Sequence, residues 1–203
     1  MADGPTGEVV HGLPTNPVHL YQLSQEPDAY NNSMGCGAFS TAMALSVYDA
    51  AHYGTYETAR SFFQEMIKVP FFGGTFESQN AAIARRNGFL AHSYDHGTVA
   101  DLAAAIDLGA PVILLVNPTT LGIGTHDELL VGYSVDAQGA VLRLFVDNPW
   151  IASGTQPAPA GVSYPGNQII ELADLPHKWT RVFTPFFAAA EVEARWRQQT
   201  QRA

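Results

Sequence analysis

From Pro111 onward the chain changes character, and that change limits the folds open to it. Before it come four segments with helix signals. After it, PVILLV, HDELLVGYSV and AVLRLFV are β-branched or apolar runs that read as strands. The last two are joined by Asp136-Ala-Gln-Gly139, a hairpin signal. Helices first and an antiparallel sheet second is an α+β plan, with N-terminal helices packed on a C-terminal sheet.

Residues 1–34 are rich in Pro, Asn and Gly and read as an irregular arm, with one short strand near Val18–Leu23. A helix opens at Cys36 and runs to Gly54. Its apolar residues (Phe39, Met43, Leu45, Val47, Tyr48) surround the axis, so it should be buried on most sides. TYETARSFFQEMIK and GTFESQNAAIARRNG give two further helices, stopped by Pro70 and Gly88. The clearest helix start is Thr98 with Asp101 three residues on, ended by Gly109 and Pro111. After a Pro/Gly loop over 148–167 come QIIEL, a short LADLPHKW element and the strand-like TRVFTPFF. Residues 188–203 read as a C-terminal surface helix, with Glu191–Arg195 and Glu193–Arg197 at helical spacing. No linker or repeat divides the 203 residues, and the reading is one domain over 1–203.

Composition excludes several classes. With 46% hydrophobic and 11% aromatic residues the chain has enough apolar surface for a core, so disorder is not its dominant state. One cysteine, Cys36, excludes an internal disulfide framework and a thiolate zinc cluster. His92 and His96 lack a partner cluster at metal-ligand spacing, so neither a metal nor an organic cofactor is called for. The net charge is −9, and two long stretches, before Arg60 and over 87–142, carry six acidic residues each and no Lys or Arg. Nucleic acid, which needs clustered cations, is not an expected partner. No apolar run is long enough to span a bilayer, and MADGPTGEVV has neither part of a secretory leader. The expected location is cytoplasmic, without contact to a membrane; a leader already removed would leave the same sequence.

Three polar positions could carry chemistry. Cys36 lies in Met34-Gly-Cys-Gly37, where the arm becomes a buried helix. Unpaired N–H groups and a partial positive charge at a helix N-terminus favour the thiolate. His126 begins a strand after a Gly-rich turn, at a sheet rim where a general base can reach a cleft. Asp147 ends the next strand, and a hairpin centred on the Asp136–Gly139 turn sets it nearly opposite His126. It would orient the imidazole, and the adjacent Asn148 is the alternative.

The order Cys, His, Asp, on a buried helix and then a hairpin, resembles the bacterial C39-like peptidases of the papain-like superfamily. GCGAFSTAMAL resembles the family's Cys-Gly-Pro-Thr-Ser-x-x-Met helix start, with Ala38 in place of Pro. GTHDELLVGYS resembles its Gly-His-x-x-x-x-x-Gly-Tyr strand, and FVDNPW its Asp-Pro turn. The resemblance spans nearly the whole chain. It implies a papain-like cysteine peptidase fold and a thiol peptidase, with Cys36 as nucleophile, His126 as base and Asp147 as orienting acid. It also implies an oxyanion-stabilising Gln, commonly six residues before the nucleophile. Tyr30 stands at that position here. Gln25 is the nearest Gln, and the amides of Asn31 and Asn32 are alternatives.

The expected partner is a peptide or protein substrate. Because both cation-free stretches carry a candidate, it should be basic or neutral near the scissile bond. Two other activities share the triad: acyl transfer or transpeptidation to an amine, and deamidation. A binding module with a silent thiol is the reading from a different class.

Overall fold

The computed structural model describes residues 7–21, 35–66, 77–117, 125–150 and 165–201. Its helices are α1 (Cys36–Ser46), α2 (Ala50–Tyr53), α3 (Tyr56–Glu65), α4 (Ser78–Arg86), α5 (Val99–Asp107), α6 (Leu175–Lys178) and α7 (Ala190–Thr200). The strands are β1 (Val9–Gly12), β2 (Leu90–Ala91), β3 (Val112–Val116), β4 (His126–Val135), β5 (Val141–Asp147), β6 (Gln168–Glu171) and β7 (Trp179–Phe187). This is the expected α+β plan, with helices against an antiparallel sheet.

The sheet runs β2-β7-β3-β4-β5-β6. β4 is its longest strand, and two strands share one of its edges. β3 pairs with His126–Leu130, and β1 continues that edge from Gly12↔Gly132 to Val9↔Val135. Gly132 makes this possible, because a Cβ there would stand 2.5 Å from the His11 carbonyl oxygen. The strand expected near Val18–Leu23 is therefore found earlier, at Val9–Gly12, where VVHG can pair with β4; Val18–Tyr21 is irregular. The Asp136–Gly139 hairpin forms as expected, with Gly139 at φ +82°.

α1 explains why its sequence is apolar all round: Gly37 to Ser46 are all buried. Its hydroxyls are satisfied locally, Thr41 donating to the Gly37 carbonyl at 2.7 Å and Ser46 to that of Met43 at 2.7 Å. The helix ends sooner than expected. Asp49 caps a separate turn, its carboxylate accepting from the His52 N–H at 3.0 Å, and so splits off α2. The expected start at Thr98 is a capping box, Thr98 Oγ1 accepting from the Asp101 N–H and Asp101 from the Thr98 N–H.

α7 is more than a surface helix. Trp196 is fully buried against Tyr94, Phe183 and Phe187 and donates to the Asp101 carbonyl at 3.0 Å. Burying an aromatic of this size is worth roughly 1.5–3 kcal/mol or more, enough to hold the helix to the sheet and to α5.

Candidate active site

The start of α1 and the start of β4 are tied together. Ser40, one turn into α1, donates to the Asp127 carbonyl at 3.0 Å. The Asp127 N–H in turn points at the Cys36 sulfur. Asp127, the residue that follows the histidine, thus meets the start of α1 through both its carbonyl and its N–H. Cys36 and His126 are not hydrogen-bonded to each other: among the described residues, the buried Nδ1 of His126 has no hydrogen-bond partner.

The other imidazole nitrogen is committed. His126 Nε2 lies 2.9 Å from Asn148 Oδ1. The surroundings fix which way that amide points. Its oxygen also accepts the Trp150 N–H at 2.8 Å, while its nitrogen donates to Glu128 Oε1 at 2.8 Å and Gln168 Oε1 at 2.7 Å. Oδ1 therefore faces the imidazole, so Nε2 carries the proton and Nδ1 the lone pair. Trp150 stacks on the ring, with centroids 4.1 Å apart, and His126 is 1% exposed.

Asp147 was expected beside the imidazole; Asn148, the alternative, stands there instead. Strand register decides the matter. Asp147 pairs with Leu129, so the two side chains share a face, while His126 and Glu128 point to the other. A count about the turn centre sets Asp147 opposite Glu128 instead. The hairpin is shifted from that count, with irregularities between Leu130 and Gly132 and between Ser134 and Val135. A shift of one residue moves a side chain through the sheet, which turns Asp147 away and Asn148 toward the histidine. The Asp147 carboxylate lies 3.7 Å from His19 Nδ1.

Electrostatics correct a second expectation. The helix start was expected to favour the thiolate. Burial pushes the Cys36 thiol up to about 12, and the Asp127 carboxylate adds to the rise. The N–H groups of Asp127, Gly37 and Cys36 itself pull the other way and are outweighed. Burial pulls His126 down to about 4 against the opposing bond to Asn148. Both shifts favour the neutral forms, a thiol at Cys36 and an imidazole at His126. Asp127, Glu128 and Asp147 are each pushed up to about 7, chiefly by burial.

Gln25, Asn31 and Asn32, the candidates for the oxyanion, lie outside the described residues. The N-cap residue of α1 is Gly35, which has no side chain to cap the first turn. Among the described residues, no group of three or more His, Cys, Asp or Glu could hold a metal ion, and no helix is long and apolar enough to cross a membrane. Sequence reasoning missed Glu128, Gln168 and Trp150 as supports of the site. The even spacing of His126 and Glu128 on one strand was the available signal.

No protein-family model matches the chain, and no curated protein sequence matches it. Among solved structures it is similar to the peptidase domain of Streptococcus ComA, described as a bi-functional ABC transporter involved in a quorum-sensing pathway. The two are 18% identical, with 77% of this chain and 93% of that one covered and a TM-score of 0.48. It is also similar to a double glycine motif protease from an AMS/PCAT transporter, solved with the leader peptide: 16% identity, 88% and 99% covered, TM-score 0.48.

Proposed function

We propose that the chain is a cysteine hydrolase of peptide bonds, with Cys36 as nucleophile, His126 as general base and Asn148 as orienter. One observation carries the reading. A buried histidine is held as the Nε2–H tautomer, with Nδ1 unpartnered among the described residues, and the residue after it, Asp127, points its N–H at Cys36. A proton acceptor in that state is what a neutral thiol needs at the moment of attack.

In this scheme the Cys36 sulfur attacks the carbonyl carbon while its proton passes to Nδ1 of His126. The imidazolium keeps its Nε2–H on Asn148. Nδ1–H then protonates the leaving amine, the C–N bond breaks and a thioester remains. Water, giving a proton to Nδ1, attacks the thioester; that proton returns to the sulfur as the acid departs. The uncapped N–H groups at the start of α1, the Cys36 N–H among them, would hold the oxyanion together with Gln25, or with Asn31 or Asn32 in its place. Loss of one such donor typically costs about 2.7–4 kcal/mol in the barrier. Substrates that are basic or neutral near the scissile bond suit the acidic segments that carry the site.

The test is digestion of a diverse peptide mixture read by mass spectrometry, with Cys36→Ala as control. New termini absent from the control support the reading. No cleavage, together with iodoacetamide labelling of Cys36 that is equally slow with and without His126→Ala, would leave a binding module. Adding a primary amine separates hydrolysis from acyl transfer by product mass.

A further inference from the structure

Three adjacent strands each send a polar side chain to the same spot on one sheet face. β4 supplies His126 and Glu128, the end of β5 leads into Asn148, and β6 supplies Gln168. Asn148 is saturated by them. Its oxygen takes two donors, His126 Nε2–H and the Trp150 N–H, and its two amide hydrogens go one each to Glu128 and Gln168. Its own N–H donates to Asn167 Oδ1 at 2.8 Å and its carbonyl accepts from Asn167 Nδ2 at 3.0 Å, which anchors the backbone as well.

We infer that Glu128 and Gln168 are positioning residues: by accepting both hydrogens of Asn148 Nδ2 they lock the amide with its oxygen on His126 and so select the imidazole tautomer. A flipped amide would set its nitrogen against the Trp150 N–H, donor facing donor, and its oxygen against two acceptor oxygens. Glu128 is 4% exposed, and among the described residues its side chain makes one hydrogen bond, the one to Asn148; its Oε2 has none. The lock does not need Glu128 ionised, because a neutral carboxyl still offers its carbonyl oxygen. Asn148 is 7% exposed, so water has little access to replace a lost acceptor.

The catalytic consequence rests on the proposed role of His126, whereas the tautomer can be read without any substrate. In full-length protein with ¹⁵N-labelled histidine, the His126 ring is assigned by its loss in His126→Ala. The expected signal is that of Nε2–H with an unprotonated Nδ1, retained in Glu128→Gln, which keeps an acceptor oxygen. It should turn into a tautomer mixture in Glu128→Leu/Gln168→Leu. In peptide hydrolysis, Glu128→Leu should lower kcat at least tenfold with KM little changed, and Glu128→Gln should restore it.

Single substitutions cover the case in which the double leucine variant does not fold. Glu128→Leu and Gln168→Leu each remove one acceptor from the Asn148 amide, and each should admit some of the other tautomer, whereas Glu128→Gln should not. An unchanged Nε2–H form in the folded leucine variants, single or double, would overturn the inference. Wild-type protein with the expected tautomer but no hydrolysis would overturn the peptidase reading and leave the lock intact.

Discussion

Asp127 faces Cys36 with two opposed groups: its N–H points at the sulfur, and its buried carboxyl raises the energy of the thiolate there. The carboxyl is 3% exposed as a residue, with the Asn80 side chain and the Glu77 charge as its neighbours. Replacing it with a neutral amide keeps the N–H and removes the charge. Asp127→Asn should therefore lower the thiol pKa and speed iodoacetamide labelling at pH 7.5, by about tenfold for each unit the pKa falls. An unchanged or slower rate in the folded variant would count against this role.

Asn148 and Asp147 differ by one position and by the face they occupy, so their substitutions should separate cleanly. Asn148→Ala should reduce kcat about 10²- to 10⁴-fold, the usual contribution of a positioned general base, because the imidazole loses its tautomer control. Asp147→Asn should change kcat by only a few-fold. Comparable losses in both would return the orienting role to Asp147.

Trp150 covers the imidazole and helps keep water from it. Burial is the main cause of the low His126 pKa, so Trp150→Ala should raise it from about 4 toward 6.5. The acid limb of kcat/KM should move up in pH accordingly. Titration of the His126 ring by NMR gives the same quantity directly, and an unmoved midpoint would refute the shielding role.

Stability should also depend on pH, with opposing contributions. Asp127, Glu128 and Asp147 have native values raised to about 7. Their contribution is full below the unfolded carboxylate range and is lost as pH rises through 7, when buried carboxyls must ionise. His126 is lowered to about 4, so its contribution is full above 6.5 and is lost as pH falls through 4. Between pH 6 and 8.5 the carboxyls dominate. Tm should be higher at pH 6 than at pH 8.5, and Glu128→Gln should flatten the difference. A higher Tm at pH 8.5 would contradict this assignment of buried carboxyls.

The helix carrying Cys36, the hairpin and the capping box at Thr98 were legible because each depends on local signals: periodicity, turn chemistry and a cap spacing. The choice between Asp147 and Asn148 was not. It turns on a shift of one residue between β4 and β5, and strand irregularities leave no mark in composition. The state of the thiol was hidden for a related reason. A helix N-terminus is visible in sequence, but the burial and the Asp127 charge that outweigh it exist only once α1 rests on β4. The role of Glu128 was hidden as well, since its partners, Asn148 and Lys178, come from distant segments.

β7 lies between β2 and β3, and Trp196 completes the aromatic cluster beside it. During synthesis from the N-terminus, the stretch bearing Cys36, His126 and Asn148 is made while β3 still has an open edge. The sheet can close only after residue 187 has emerged, and the cluster only after residue 196. Contacts this distant in sequence form slowly, and an unpaired apolar strand such as VILLV is prone to pair with other chains in the interval. Completion of the sheet that carries His126 therefore falls late in the life of the nascent chain.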